Sequence, residues 1–144
     1  MSAVASIVLN DAQGSPVAHT FIPLGPDQKG TWWFEDQTGP SPVGYGRLSL
    51  QLVRSAVPAE GQDAGGRTAR IKLGIHTPKL ETLGNTANGL TPPNTVAYVP
   101  RCNVEYIISE RAVLQDRKDL RKYVQFLMAD TQVVAMVESL QNIF

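Results

Sequence analysis

Long apolar runs are missing from this chain. No stretch approaches the roughly 20 apolar residues needed to span a bilayer. The opening Met-Ser-Ala-Val-Ala-Ser-Ile-Val-Leu-Asn has neither the basic start nor the sustained apolar core of a signal peptide. A soluble chain that is not exported is expected. Cysteine is nearly missing too: Cys102 stands alone, which excludes an intrachain disulfide and a multi-cysteine zinc site and fits a reducing, cytoplasmic origin. With only two histidines, His19 and His76, little is left for a metal centre, and no cofactor is implied. Net charge is absent as well, 13 Lys+Arg against 13 Asp+Glu, so the chain cannot hold nucleic acid by bulk charge; any such binding needs local placement. After Pro100 there is no glycine or proline at all, although 12 glycines and ten prolines precede or include that point. Turn chemistry thus belongs to the first two thirds, and the order expected is strands first, helices last.

What is present supports one α+β domain over residues 1–144. Residues 3–9 and 17–24 are short β-rich runs around the turn composition of Asn10 to Pro16, an N-terminal hairpin within residues 1–24. Residues 31–109 carry an antiparallel sheet. Its first member, Thr31-Trp32-Trp33-Phe34-Glu35, places the two tryptophans on opposite faces, one for the core and the other for a subunit or hairpin contact, with a nucleobase platform as the alternative.

Two further runs alternate cleanly. Over residues 45–54, Leu48, Leu50 and Leu52 oppose Arg47, Ser49 and Gln51; over residues 67–76, Ala69, Ile71, Leu73 and Ile75 oppose Thr68, Arg70, Lys72 and His76. Residues 55–66 join them as a flexible hairpin loop. Residues 77–95 read as a long loop of the kind that is usually functional or mobile. A final strand over residues 96–109 sets Cys102, Val104, Tyr106 and Ile108 against Arg101, Asn103, Glu105 and Ile107, with Pro100 marking a bulge or edge and Cys102 expected to be a buried, inert thiol.

Residues 116–142 should form two helices. The first has Asp116 as N-cap and the stripe Leu120, Tyr123, Val124, Leu127, with Arg117, Lys118, Arg121 and Lys122 opposite. The second is capped by Asp130 or Thr131 and carries Val133, Val134, Met136, Val137 and Leu140. Helices this short need packing to be stable and must cover a sheet, their own or a partner's.

The polar sheet face gathers Arg47, Ser49, Gln51, Thr68, Arg70, Lys72, Arg101 and Asn103 from three strands, with Glu105 as its one clear acid. Such a face is locally basic and rich in groups that bond phosphates, bases and 2′-hydroxyls. An ordinary solvated sheet face would carry similar residues. Catalysis finds no support: Gly44-Tyr45-Gly46-Arg47-Leu48-Ser49 precedes a strand and lacks a Walker-type lysine, and neither histidine has an evident nucleophile. The chain reads as a non-enzyme.

The order of parts, with Val43-Gly44-Tyr45-Gly46-Arg47-Leu48-Ser49-Leu50, Arg67-Thr68-Ala69-Arg70-Ile71-Lys72-Leu73, Asp116 to Tyr123 and Gln132 to Leu140, resembles the coat proteins of levivirus-type RNA phages, the Pseudomonas-phage branch in particular. The resemblance spans nearly the whole chain. It implies an obligate homodimer, joined sheet edge to sheet edge with each subunit's helices laid over the partner, across more than ~2,000 Å². It implies assembly in the bacterial host cytoplasm into the icosahedral shell of a virion, commonly T=3, in which residues 77–95 take different conformations around the symmetry axes. It further implies that a genomic single-stranded RNA hairpin binds the sheet face, on Arg47, Ser49, Gln51, Thr68, Arg70, Lys72, Arg101, Asn103 and Glu105, for packaging and repression of the replicase message. The phage maturation protein is a further implied partner. Two departures stand out: the loop carries no cysteine, so inter-subunit disulfides are not expected, and residues 55–66 form a longer hairpin loop than usual. The competing reading is a dimeric RNA-binding regulator of similar architecture that does not assemble.

Overall fold

A computed structural model describes residues 3–63, 65–82, 84, 89 and 92–143. The elements are β1 (Ile7–Asn10), β2 (Ala18–Pro26), β3 (Trp32–Asp36), β4 (Gly46–Val53), β5 (Thr68–His76), β6 (Lys79–Leu80), β7 (Val96–Tyr98), β8 (Arg101–Ser109), α1 (Leu114–Met128) and α2 (Thr131–Glu138). Six strands form an antiparallel sheet in the order β1-β2-β3-β4-β5-β8, and β6 pairs with β7 in a separate ribbon. The chain divides into one compact unit of residues 1–54 and 69–107 and a second of residues 55–68 and 108–144.

The first unit is the sheet. Its ladders follow the alternation of the sequence: Leu48 stands opposite Phe34 and Ile75, Leu50 opposite Trp32 and Leu73. One face therefore collects the apolar side chains, and Phe21, Phe34 and Leu48 are buried there with Ile7, Trp32 and Leu50 packed against them. Those three are the only buried hydrophobic side chains among the described residues, and Leu52 on the same face of β4 remains 61% exposed. Ile75 of β5, on the same face, is 39% exposed.

Three expectations change here. The long final strand is two strands, because Pro100 has no N–H to donate and a fixed φ; the chain pairs β7 with β6 before Pro100 and joins the main sheet only from Arg101. Residues 77–95 are correspondingly not loop throughout, since β6 lies inside them, with Thr77 and Glu81 donating to Pro100 and Thr95 at its two ends. Residues 83, 85–88, 90 and 91 of that segment lie outside the described residues. Cys102 is exposed rather than buried, in a strand that stands at the end of the sheet order.

In the second unit the Arg67 guanidinium ties the ends together. It bonds Glu110 at 2.8 Å and the Ala56 carbonyl, while the Glu110 amide donates to the Arg67 carbonyl at 3.0 Å. α1 starts three residues earlier than expected. Val113 is its N-cap and Asp116 sits at the third helical position, where its carboxylate accepts from the Val113 amide at 3.3 Å. That arrangement serves the same orphan N–H groups from the other direction. Asp130 caps α2 as expected, accepting from Gln132 at 2.9 Å. Neither helix contains a buried residue, and Tyr123, Phe126 and Val137 are each about two-thirds exposed at 69%, 67% and 70%.

Candidate nucleic-acid interface

The face of the sheet opposite the apolar core is set by strand parity, and pairing aligns it across strands. Ser49 stands opposite both Trp33 and Gly74, Gln51 opposite Lys72, and Arg47 opposite both Glu35 and His76. Asn103 of β8 joins this row, because a side chain at Gly74 would meet Ser49 Oγ and Asn103 Oδ1. Gly74 therefore leaves a gap that the polar ends of two neighbours fill. Around it lies an open depression of about 450 Å³, lined by Ser49, Gln51, Lys72, Gly74, Asn103 and Glu105 among others.

The charges on this face are not equally available. Arg47 bonds Glu35 through both Nη2, at 2.9 Å, and Nε, at 3.0 Å, and Glu35 is buried. Separating them would leave a carboxylate shut away from water without its partner, a costly change. Arg70 meets Glu105 at 3.6 Å with both side chains largely in solvent, a pair worth only ~0–1 kcal/mol. Lys72 and Arg101, both exposed, have no side-chain partner among the described residues, nor do Ser49 and Asn103. Gln51 is half committed, its amide donating to the Lys29 carbonyl at 2.9 Å.

Of the nine residues singled out from sequence, Ser49, Gln51, Lys72, Asn103 and Glu105 line the depression, while Arg47, Arg70 and Arg101 share its face by parity. Thr68 falls in the second compact unit, where its carbonyl accepts from Ser55 Oγ at 3.1 Å. Glu105 is not the only acid of the face: Glu35 belongs to it and neutralises Arg47. Sequence reasoning passed over Gly74 and left open which tryptophan belongs to this face. The register of β3 against β4 was the missing signal, since it puts the odd positions of β3 on this face. Trp33 is the second tryptophan anticipated at a hairpin contact: its indole N–H donates to Asp27 in the β2–β3 turn at 3.3 Å, and its ring meets that of His76 edge-on, 6.4 Å between centres. Trp32 packs on the core.

No helix among the described residues is long and apolar enough to cross a membrane. A six-stranded antiparallel sheet followed by two C-terminal helices is the architecture of an RNA-phage coat subunit, a structural capsid protein and not an enzyme. The family model for the levivirus coat protein matches residues 2–144, and the chain belongs to that family. Among solved structures it is similar to the virus-like particle of bacteriophage ESE058, at 43% identity and a TM-score of 0.92 over 99% of this chain and 100% of that one. The virus-like particle of Beihai levi-like virus 21 shares the fold at 21% identity and a TM-score of 0.81, covering 99% of each chain. The bacteriophage GA protein capsid does so at 16% identity and 0.71, covering 95% of each. Among curated proteins none matches.

Proposed function

We propose that this coat protein forms obligate homodimers that assemble into an icosahedral T=3 shell around a single-stranded RNA genome in the host cytoplasm. The whole of residues 1–144 serves as one coat-protein domain in that shell. The observation that carries the reading is the apolar surface left bare by a single chain. Tyr123, Phe126, Leu127 and Val137 are exposed on two helices that bury nothing, and β8 ends the sheet with an unpaired edge. Exposed apolar area of this kind marks an interface, and an open strand edge invites a second one. Leu140 adds to this. It lies two residues past the end of α2 at φ 53°, a left-handed conformation that glycine adopts freely and leucine does not, and its side chain is 88% exposed. A strained, bare leucine is understandable if a partner covers it.

The polar sheet face is the proposed RNA site, holding a genomic hairpin for packaging and for repression of replicase translation. Lys72 and Arg101 are free to meet phosphates without breaking an existing pair. Arg70 can exchange Glu105 for a phosphate at little cost, whereas Arg47 stays anchored to Glu35 and orients rather than travels. Ser49 and Asn103 offer donors and acceptors beside the Gly74 gap, suited to the edge of an unstacked base, with Gln51 as a flanking polar group. The maturation protein is a further expected partner of the shell.

Expression of the chain and analysis by size exclusion and electron microscopy tests the reading. RNA-filled particles are the expected result. A stable small dimer that binds RNA in a salt-sensitive manner but never assembles would overturn the shell and leave the regulatory alternative.

A further inference from the structure

A charge cluster outside the proposed RNA face lies on the apolar side of the N-terminal hairpin. His19 of β2 lies between two carboxylates: its Nδ1 is 2.7 Å from Asp36 Oδ2 at the end of β3, and its Nε2 is 3.6 Å from Asp11 Oδ2 in the β1–β2 turn. Both carboxylates are held in place by other donors. Asp11 accepts from the Val17 amide at 2.8 Å, and Asp36 accepts from the Thr38 hydroxyl at 2.8 Å and its amide at 3.1 Å. The cluster borders an open depression that also includes Lys79 of β6, the one other charged group facing it among the described residues.

The position matters because the hydrogen-bond ladder of the seam it spans is short and interrupted. β2 pairs with β3 only from Ile22, opposite Glu35, to Pro26, opposite Trp32, with a register shift between Pro23 and Gly25. Pro23 and Pro26 have no N–H to contribute. Beyond Ile22 the hairpin is held to the rest of the sheet by the packing of Phe21 and Ile7 on the core and by the His19–Asp36 contact. The geometry points to a proton-operated latch, in which charged His19, clasped by Asp36 and Asp11, fastens the N-terminal hairpin to β3 at mildly acidic pH and releases it as the imidazole loses its proton.

The electrostatics agree in sign. The hydrogen bond that His19 makes to Asp36 raises its pKa above the ordinary value, more than burial lowers it. The Val17 amide chiefly holds the Asp11 carboxyl below the usual range, and for Asp36 the upward push of burial is outweighed by the Thr38 and His19 bonds together. A raised histidine contributes fully below its unfolded pKa of ~6.5, and the contribution is lost as pH climbs through the folded value. Depressed carboxylates contribute fully above ~4 and lose their effect as pH falls through their folded values. The latch is therefore fully closed between about pH 4 and 6.5 and opens above.

Hydrogen exchange by mass spectrometry on the full chain, in whatever oligomer it forms, tests this at about pH 6 and pH 8 after correction for intrinsic rates. Peptides covering β1 and β2 should lose protection at the higher pH while those of β4 and β5 hold. His19→Gln, whose amide can still bond Asp36 without a charge, should abolish that difference. Equal hairpin protection at both pH values, or an unchanged pH response in His19→Gln, overturns the latch. If the variant fails to fold, the wild-type His19 ring titration followed by NMR decides: a midpoint above ~6.5 is expected and one at or below it refutes the clasp.

Discussion

Replacing Gly74 by alanine separates the folding role of the sheet face from its proposed RNA role. A Cβ built at Gly74 would lie 2.4 Å from Ser49 Oγ and 3.2 Å from Asn103 Oδ1. Both are ends of side chains without a partner, on a face open to solvent, so each can turn away; rotating Ser49 off its preferred position costs about 0.5–1.5 kcal/mol. Against this, alanine narrows the unfolded ensemble and returns about 0.4–1 kcal/mol, since Gly74 is in strand conformation with no positive φ. Net stability should change by less than ~1 kcal/mol. RNA binding should suffer more. The new methyl group occupies the floor of the depression, and the displaced Ser49 and Asn103 no longer present the same donors and acceptors. One good base contact is worth about 1–3 kcal/mol, or roughly 5- to 150-fold in affinity. Urea denaturation followed by tryptophan fluorescence gives the first quantity, and fluorescence anisotropy with RNA recovered from particles gives the second. Wild-type affinity in Gly74→Ala would refute the assignment of this depression to RNA. A stability loss above ~3 kcal/mol would show that Ser49 and Asn103 are fixed rather than adaptable.

Other outcomes follow from the same structure. Lys72→Ala removes one free cation per subunit without disturbing an ion pair, so it should weaken RNA binding across sequences and flatten the dependence of log K on log salt by about 1 for each phosphate no longer neutralised, measured as a salt titration. Leu48→Ala strikes one of three buried hydrophobic side chains and should cost about 2–5 kcal/mol in denaturant unfolding. Asp130→Ala removes the α2 cap and should cost about 0.5–2 kcal/mol on the same assay. Tyr123→Glu alters a side chain that is 69% exposed in one chain, so it should spare the secondary structure seen by circular dichroism yet weaken or abolish the dimer in analytical ultracentrifugation. An unaffected dimer would remove α1 from the interface.

The alternation in β4 and β5 was readable from the sequence because a strand places successive side chains on opposite faces whatever surrounds it. Arg47, Ser49 and Gln51, and with them Arg70 and Lys72, were therefore assignable to one face, and the register of Gln51 against Lys72 agrees. The pairing of Arg47 with Glu35 and the gap at Gly74 were not readable. Each depends on which residue of another strand lies opposite, and register is set by turn geometry and by the joint burial of several strands. Pro100 gave warning of an irregularity, but that β7 would leave for a partnership with β6 is a matter of where a second strand is available. Asp116 was rightly tied to the start of α1 but given the wrong cap position, since N-cap and third-position acids serve the same free amides.

Local sequence, then, determined the main strands of the sheet, the two helices, which face is wet, and that the chain has no net charge to offer RNA, but not β6 or its pairing with β7. Tertiary structure decided which charges are free. Of the four basic residues proposed for the RNA face, two are engaged by acids and two are not, and it alone set His19 between Asp11 and Asp36. The physical reason is that periodicity is a property of the backbone within a few residues, whereas charge pairing and strand neighbours are relations between residues distant in sequence, fixed only when the sheet closes on its register.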